Sequence, residues 1–226
     1  MQLLAFGGCT DTAPLIAALA GSGLTGVLYE DVNDPRGVAL LTFSDDPNFF
    51  IDRVRPLLNE PAFRPLTQKP EYTMLGRTYS LGYEPDLVDV LMHRARRTVL
   101  NPDWKWAVWY PLRRSGKFAQ LPPEEQRVIL AEHGAIGMSY GVADYAHDIR
   151  LACHGLDKDD NDFVVSLISA DDRPLRARRT RVERPRDDRR RGARGRDFAG
   201  AVPPIDGAAR RRREHAERRP EFAEQI

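Results

Sequence analysis

The chain has 226 residues, 42% hydrophobic and 8% aromatic, enough to bury one large core or two small ones. No apolar run reaches the roughly 18–20 residues of a membrane-spanning helix, and Met1–Gly8 lacks the basic start and cleavage site of a signal peptide, so neither is expected. The net charge of +1 hides a split: residues 173–226 hold 18 Arg, no Lys and 9 acidic side chains, which leaves −8 on the first 172.

In chain order, Leu3–Phe6 reads as a short apolar strand, and Thr10 or Asp11 as the cap of a helix through Pro14–Ala20. Gly26–Tyr29 and Gly37–Phe43 are expected strands around the turn Asn33-Asp34-Pro35-Arg36. Asp46-Pro47 opens a second predicted helix, with Phe49, Phe50, Val54 and Leu57 on one face. Tyr72–Leu81 is the candidate closing strand. Strand, helix, strand, strand, helix, strand is the order of a ferredoxin-like split βαβ unit.

Asp86–Arg97 reads as a short helix with Leu87, Val90 and Leu91 on one side, and Asn101-Pro102-Asp103 as a boundary. The pattern then restarts. Trp104–Tyr110 is a strand by composition, and Leu121-Pro122-Pro123-Glu124-Glu125 is a helix start with acids at the positive dipole end. That helix is expected to end near His133, with Gly134 as its C′ residue. Ile149–Cys153 and Phe163–Ile168 supply two more strands around the turn-forming Gly155–Asn161. The helix and strand that would finish a second unit are not visible.

The chain therefore divides into 1–100, a first ferredoxin-like half, 101–172, the start of a second, and 173–226, an Arg-rich tail. Leu175 and Val182 are the only large aliphatics across Arg173–Gly200, too few for a helix to pack, so the tail reads as disordered or out of frame. Cys9 and Cys153 have no metal or disulfide spacing and read as small core thiols.

The informative stretch runs Tyr110-Pro111, Leu121-Pro122-Pro123-Glu124-Glu125-Gln126-Arg127, Glu132-His133-Gly134-Ala135-Ile136-Gly137, Gly155-Leu156-Asp157 and Asp162-Phe163-Val164. In order and spacing it resembles the chlorite dismutase superfamily, which includes chlorite dismutases and peroxide-dependent coproheme decarboxylases. Glu-His-Gly-x-x-Gly and Tyr-Pro-Leu lean toward the decarboxylase branch. The resemblance implies an α+β subunit of two ferredoxin-like halves, of the dimeric α+β barrel type, with haem in the C-terminal half. The second half here looks incomplete.

By that resemblance His133 is the axial iron ligand, since neutral imidazole is a good donor to haem iron. The plain alternative is a helix C-terminal histidine favoured by the dipole. Tyr110 falls on a tyrosine used as a radical relay, a role that needs an oxidisable phenol beside a porphyrin propionate. It is equally a strand-end tyrosine with a buried ring. Arg114 aligns with a cation that binds a propionate, Arg113 is a less specific candidate, and Phe118 replaces a tryptophan that packs near the haem. On the distal side, His147-Asp148-Ile149-Arg150 puts Asp148 where chlorite dismutases have arginine and many decarboxylases glutamine, with His147 and Arg150 as further candidates. A carboxylate there serves an anion poorly. His93 and His154 read as surface or core residues.

The expected cofactor is haem, as coproheme or haem b, with its iron. The expected function is oxidative decarboxylation of coproheme to haem b. Chlorite decomposition, or a non-catalytic haem-binding or structural ring protein, are the alternatives. A cytoplasmic homo-oligomer of the pentameric-ring type is implied, without a membrane span and with nucleic acid the weaker partner for the basic tail.

Overall fold

A computed structural model describes residues 1–82, 84–114, 116–171 and 198–201, the last four by backbone alone. The first half opens with β1 (Gln2–Gly7), helix α1 (Ala13–Gly21) and a hairpin of β2 (Gly26–Asp31) and β3 (Val38–Thr42). Asp34 shapes the hairpin turn: its Oδ1 accepts the Arg36 N–H, and its backbone carbonyl accepts the Gly37 N–H. Thr12 holds the N-cap position of α1, but the Asp11 carboxylate makes the bond, accepting from the Ala13 N–H. Every residue of β3 is buried, because one face looks into the protein and the other lies under helices.

The helical stretch expected at 46–57 starts later, and both it and the one at 86–97 wind differently. Asp46 forms an Asx turn by accepting from the Asn48 N–H. Helix α2 begins at Phe50–Val54, wound as a π-helix, and continues as Arg55–Leu58. Helix α3 is likewise π-wound over Asp89–Arg94 and α-helical over Ala95–Val99. Leu87 is 51% exposed rather than packed; Val90, Thr98 and Val99 are the buried residues there.

The strand expected across Tyr72–Leu81 is broken into pieces. β4 (Thr67–Gln68) and β5 (Met74–Leu75) pair with β1, whereas β6 (Arg77–Thr78) pairs with β8 of the second half. Gly76, between β5 and β6, leaves no room for a side chain: a Cβ would lie 2.7 Å from Leu151 Cβ and 2.8 Å from Cys153 Sγ. Glycine is what lets one segment serve both partners.

The second half contains β7 (Trp106–Leu112), the short α4 (Gly116–Ala119), the long α5 (Pro123–Val142), β8 (His147–Ala152), β9 (Phe163–Ser169) and β10 (Phe198–Ala201). Two expectations need correcting. α5 does not stop at His133; it runs nine residues further, through Gly134, to a stop where Asp144 takes φ 56°. The strand missing from the second half is supplied by the tail: β10 pairs antiparallel with β7 and with β2. Phe-Ala-Gly-Ala has little apolar pattern, but neighbours on both edges satisfy its backbone. The remaining tail, and with it any second helix or shift of frame, lies outside the described residues.

The strand orders β5-β1-β3-β2 and β10-β7-β9-β8 are the same, so both halves have the four-stranded ferredoxin-like arrangement. β2–β10 joins them on one side and β5–Gly76–β6 on the other, closing the antiparallel sheet into a barrel. Leu3, Tyr29, Leu41, Trp109, Ile149 and Ile168 fill its interior. Outside the first half, Leu4, Leu28 and Leu40 pack against Leu15, Leu57 and Phe63. Outside the second half, Val108, Tyr110, Val165 and Leu167 form a smaller cluster with Ala146 and, partly buried, Tyr140.

Candidate functional site

Alternation along β7 decides what the second half offers. Ala107 and Trp109 point into the barrel, so Val108, Tyr110 and Leu112 lie on the outer face. The registers extend this face over three strands. Tyr110 is opposite Val165, which is opposite Arg150; Val108 is opposite Leu167, which is opposite Asp148. Tyr110 and Arg150 thus occupy one rung, two strands or about 10 Å apart. Asp148 sits one rung away on the same face, its Oδ2 3.5 Å from Arg150 Nε. The structure brings together Tyr110, expected beside a propionate, with Asp148 and Arg150, expected on the distal side.

α5 supplies the opposite wall. Its twenty residues include none that is buried. At 100° per residue, Gln126, Ile129, His133, Ile136, Gly137 and Tyr140 fall within an arc of about 100°, so they share one face. All of these are half-buried except His133, which is exposed. Tyr140 packs onto the outer cluster of the sheet and, through its carbonyl, receives the Tyr145 N–H. The helix is therefore anchored at its C-terminal end, while His133, seven residues earlier, stands uncovered in the middle of the inward stripe. A Cβ on Gly134 or Gly141 would meet nothing within 4 Å. Because His133 is mid-helix, the dipole no longer explains a histidine there.

His147, the other candidate, is turned away. It is opposite Ile168, a barrel-interior residue, stacks on Trp104 at 3.7 Å, and meets Asp144 Oδ1 at 2.8 Å. It braces the turn between α5 and β8.

The end of the face near Leu112 carries the cations. Arg114 and Arg113 are exposed on the loop after β7. The Arg114 N–H donates to Asp162 Oδ2 at 2.6 Å. Its guanidinium lies 4.7 Å from the Phe163 ring centroid and 5.5 Å from that of Phe118. Phe118 thus touches Arg114, and Arg113 is not drawn into this cluster by any bond described. The apolar floor, Val108, Leu112, Val165 and Leu167, was not among the expected site residues. Period-two alternation on β7 and β9 is the signal that finds it.

Among the described residues no three His, Cys, Asp or Glu side chains converge as a metal site, and no helix is long and apolar enough to cross a membrane. Both thiols are buried and free, as expected; burial pushes the Cys153 thiol up to about 12, so it stays protonated. The residues between α5 and the sheet do fit an iron porphyrin. They offer one imidazole on the helix wall, a flat apolar floor, and arginines at the Leu112 edge for carboxylates.

Comparison with known proteins agrees with this architecture. No curated protein matches the chain in sequence. Among solved structures, a haem-binding protein from Thermus thermophilus superposes with a TM-score of 0.66 at 18% identity, covering 89% of this chain and 90% of that one. A variant of the chlorite dismutase from Candidatus Nitrospira defluvii, in complex with cyanide, gives 0.67 at 14% identity, covering 90% of each chain. The same enzyme in complex with imidazole gives 0.65 at 13%, again covering 90% of each. At these identities the likeness is one of fold. The family model described as chlorite dismutase matches residues 53–178, more than half of the 226, and the chain belongs to that family.

Proposed function

We propose that this protein is a haem-binding oxidoreductase that carries out peroxide-dependent decarboxylation of coproheme to haem b. The observation that carries the reading is the uncovered His133 at the centre of the inward stripe of α5, opposite a sheet face bearing Tyr110 and Arg150. His133 would ligate the iron, Val108, Val165 and Leu167 would form the floor, and Arg114 would pair with a propionate. The bound iron porphyrin would supply the oxidising chemistry with peroxide. Tyr110, 5% exposed and fixed in β7, would act as the hydrogen relay, giving up and recovering its phenolic hydrogen without the ring moving. Asp148 would hold Arg150 along the sheet.

One observation favours a second reading. Arg150 shares a rung with Tyr110, and a cation on this face can hold an oxyanion, as chlorite decomposition requires. The Arg150–Asp148 pair counts against it, because the nearby carboxylate repels an anion. The ring-shaped homo-oligomer and cytoplasmic location implied by the resemblance belong to the same proposal.

Titration with coproheme and with haem b, followed by peroxide or chlorite, separates the readings. Decarboxylation yields a product with vinyl groups and released CO2. Oxygen evolution from chlorite supports the second reading, and a bound porphyrin inert to both leaves a carrier.

A further inference from the structure

Phe163 begins β9 on the outer face, in the rung of Leu112 and Ala152, immediately beyond the rung of Tyr110, Val165 and Arg150. It is an unusual meeting point. The Tyr79 ring tilts against it at 5.6 Å, the His154 ring meets it edge-on at 5.3 Å, and the Arg114 guanidinium lies over it at 4.7 Å. Neighbouring Asp162 ties down both flanks. It accepts the Arg114 N–H through Oδ2, and its Oδ1 lies 3.6 Å from His154 Nδ1. Arg114 is thus gripped through its backbone and its side chain, yet no carboxylate among the described residues forms an ion pair with its guanidinium.

A guanidinium held over ring faces retains its in-plane N–H donors, the fork that pairs with a carboxylate through two bonds. A long arginine on an exposed loop would otherwise lose its rotamer freedom on binding, which weakens the pairing. We propose that Phe163 is a positioning residue: it holds Arg114, with help from Phe118, at the Leu112 edge of the sheet face, aimed at a carboxylate of the bound tetrapyrrole. This rests on the haem reading above. It adds that selection for an anionic side chain at this edge is set by an aromatic residue that need not touch the ligand.

The test uses the full chain and two probes, zinc protoporphyrin IX and its bis-amide, titrated by absorbance and fluorescence. The zinc takes one axial imidazole, so His133 is engaged by both, and only the acid offers carboxylates. Wild-type protein should prefer the acid. Phe163→Leu should weaken binding of the acid by a factor of roughly three to ten and leave the amide unchanged. Phe163→Tyr should restore the preference. Arg114→Gln, on the exposed loop and harmless to the core, should abolish it, and Phe163→Leu should have no further effect in that background. Equal loss for acid and amide in Phe163→Leu, or independent losses in the double variant, would overturn the positioning role. A wild type that binds both probes without preference overturns it as well. Binding of neither probe would instead overturn the haem reading.

Discussion

The two halves share a strand order but treat their outer faces differently. In the first half, Leu15 of α1 and Leu57 of α2 are each 1% exposed, and Phe63 is 2% exposed, sealing the sheet beneath them. In the second half, α5 has more than twice the length of α1 and no buried residue. Both helices follow the first strand of their unit, so the contrast is not topological. A helix that covers its sheet buries a leucine stripe. α5 has instead two isoleucines, a glutamine, a glycine, a tyrosine and one histidine on its inward face, none of them fully buried. The first half is sealed by its helices, and the second is the one in which the proposed haem site lies.

The largest expected effect tests the face of α5 directly. His133→Ala should abolish the ferric spectrum of an imidazole-ligated haem in a titration while leaving the far-ultraviolet circular dichroism intact. An unchanged spectrum would remove His133 from the iron. Next is Tyr110→Phe, which keeps the ring and loses the O–H. Coproheme should still bind, and the first decarboxylation should stop; equal turnover would leave Tyr110 as packing.

The halves should also differ in stability. Leu15→Ala, in the sealed face, should cost about 2–5 kcal/mol in denaturant unfolding of the ligand-free protein. Ile136→Ala, on the half-covered stripe of α5, should cost no more than about 1 kcal/mol. Equal costs would mean that the second face is as tightly closed as the first.

The smallest effect lies in the connection between β6 and α3. Glu84 accepts hydrogen bonds from Ser80 Oγ and from the Leu81 and Gly82 N–H groups, which hold its carboxyl down at about 2, below the usual 4.5. A depressed value stabilises the fold above about pH 4.5, and the contribution fades as pH falls toward 2. Carboxyl NMR titration should show Glu84 titrating near 2, well below the usual 4.5, and Glu84→Gln should remove that low transition.

Much of this was legible in the residues, for stated reasons. β1, β3 and β9 declare themselves as apolar runs bounded by turn chemistry, and the split βαβ order follows from them. The end of α5 was not legible. Gly134 has the look of a C′ residue, yet glycine is tolerated inside a helix at a cost of about 1 kcal/mol, and no proline, Asn or Asp follows it until Asp144. β10 was invisible because a strand paired on both edges draws its order from β2 and β7, not from its own side chains. At the site, Tyr110, Asp148 and Arg150 fell together because period two holds along β7 and β8. His147 lies one residue out of phase with them and so faces the barrel interior, against Trp104. Arg114 was expected from the motif, but its aromatic seat on Phe163 depends on a contact between β9 and the loop after β7, a relation no local pattern records.

The shared segment at Gly76 bears on how the molecule assembles. The β2–β3 and β8–β9 hairpins are local in sequence, so each can form early. Pairing β5 with β1 brings Leu75 to Gln2, and pairing β6 with β8 brings Arg77 to Ala152, each across a loop of about seventy residues. Long-range pairing carries a larger closure entropy and comes late. The barrel is thus a clasp that fastens after its hairpins have formed, and Gly76 is the catch: any side chain there strikes Leu151 and Cys153 and forces the seam apart.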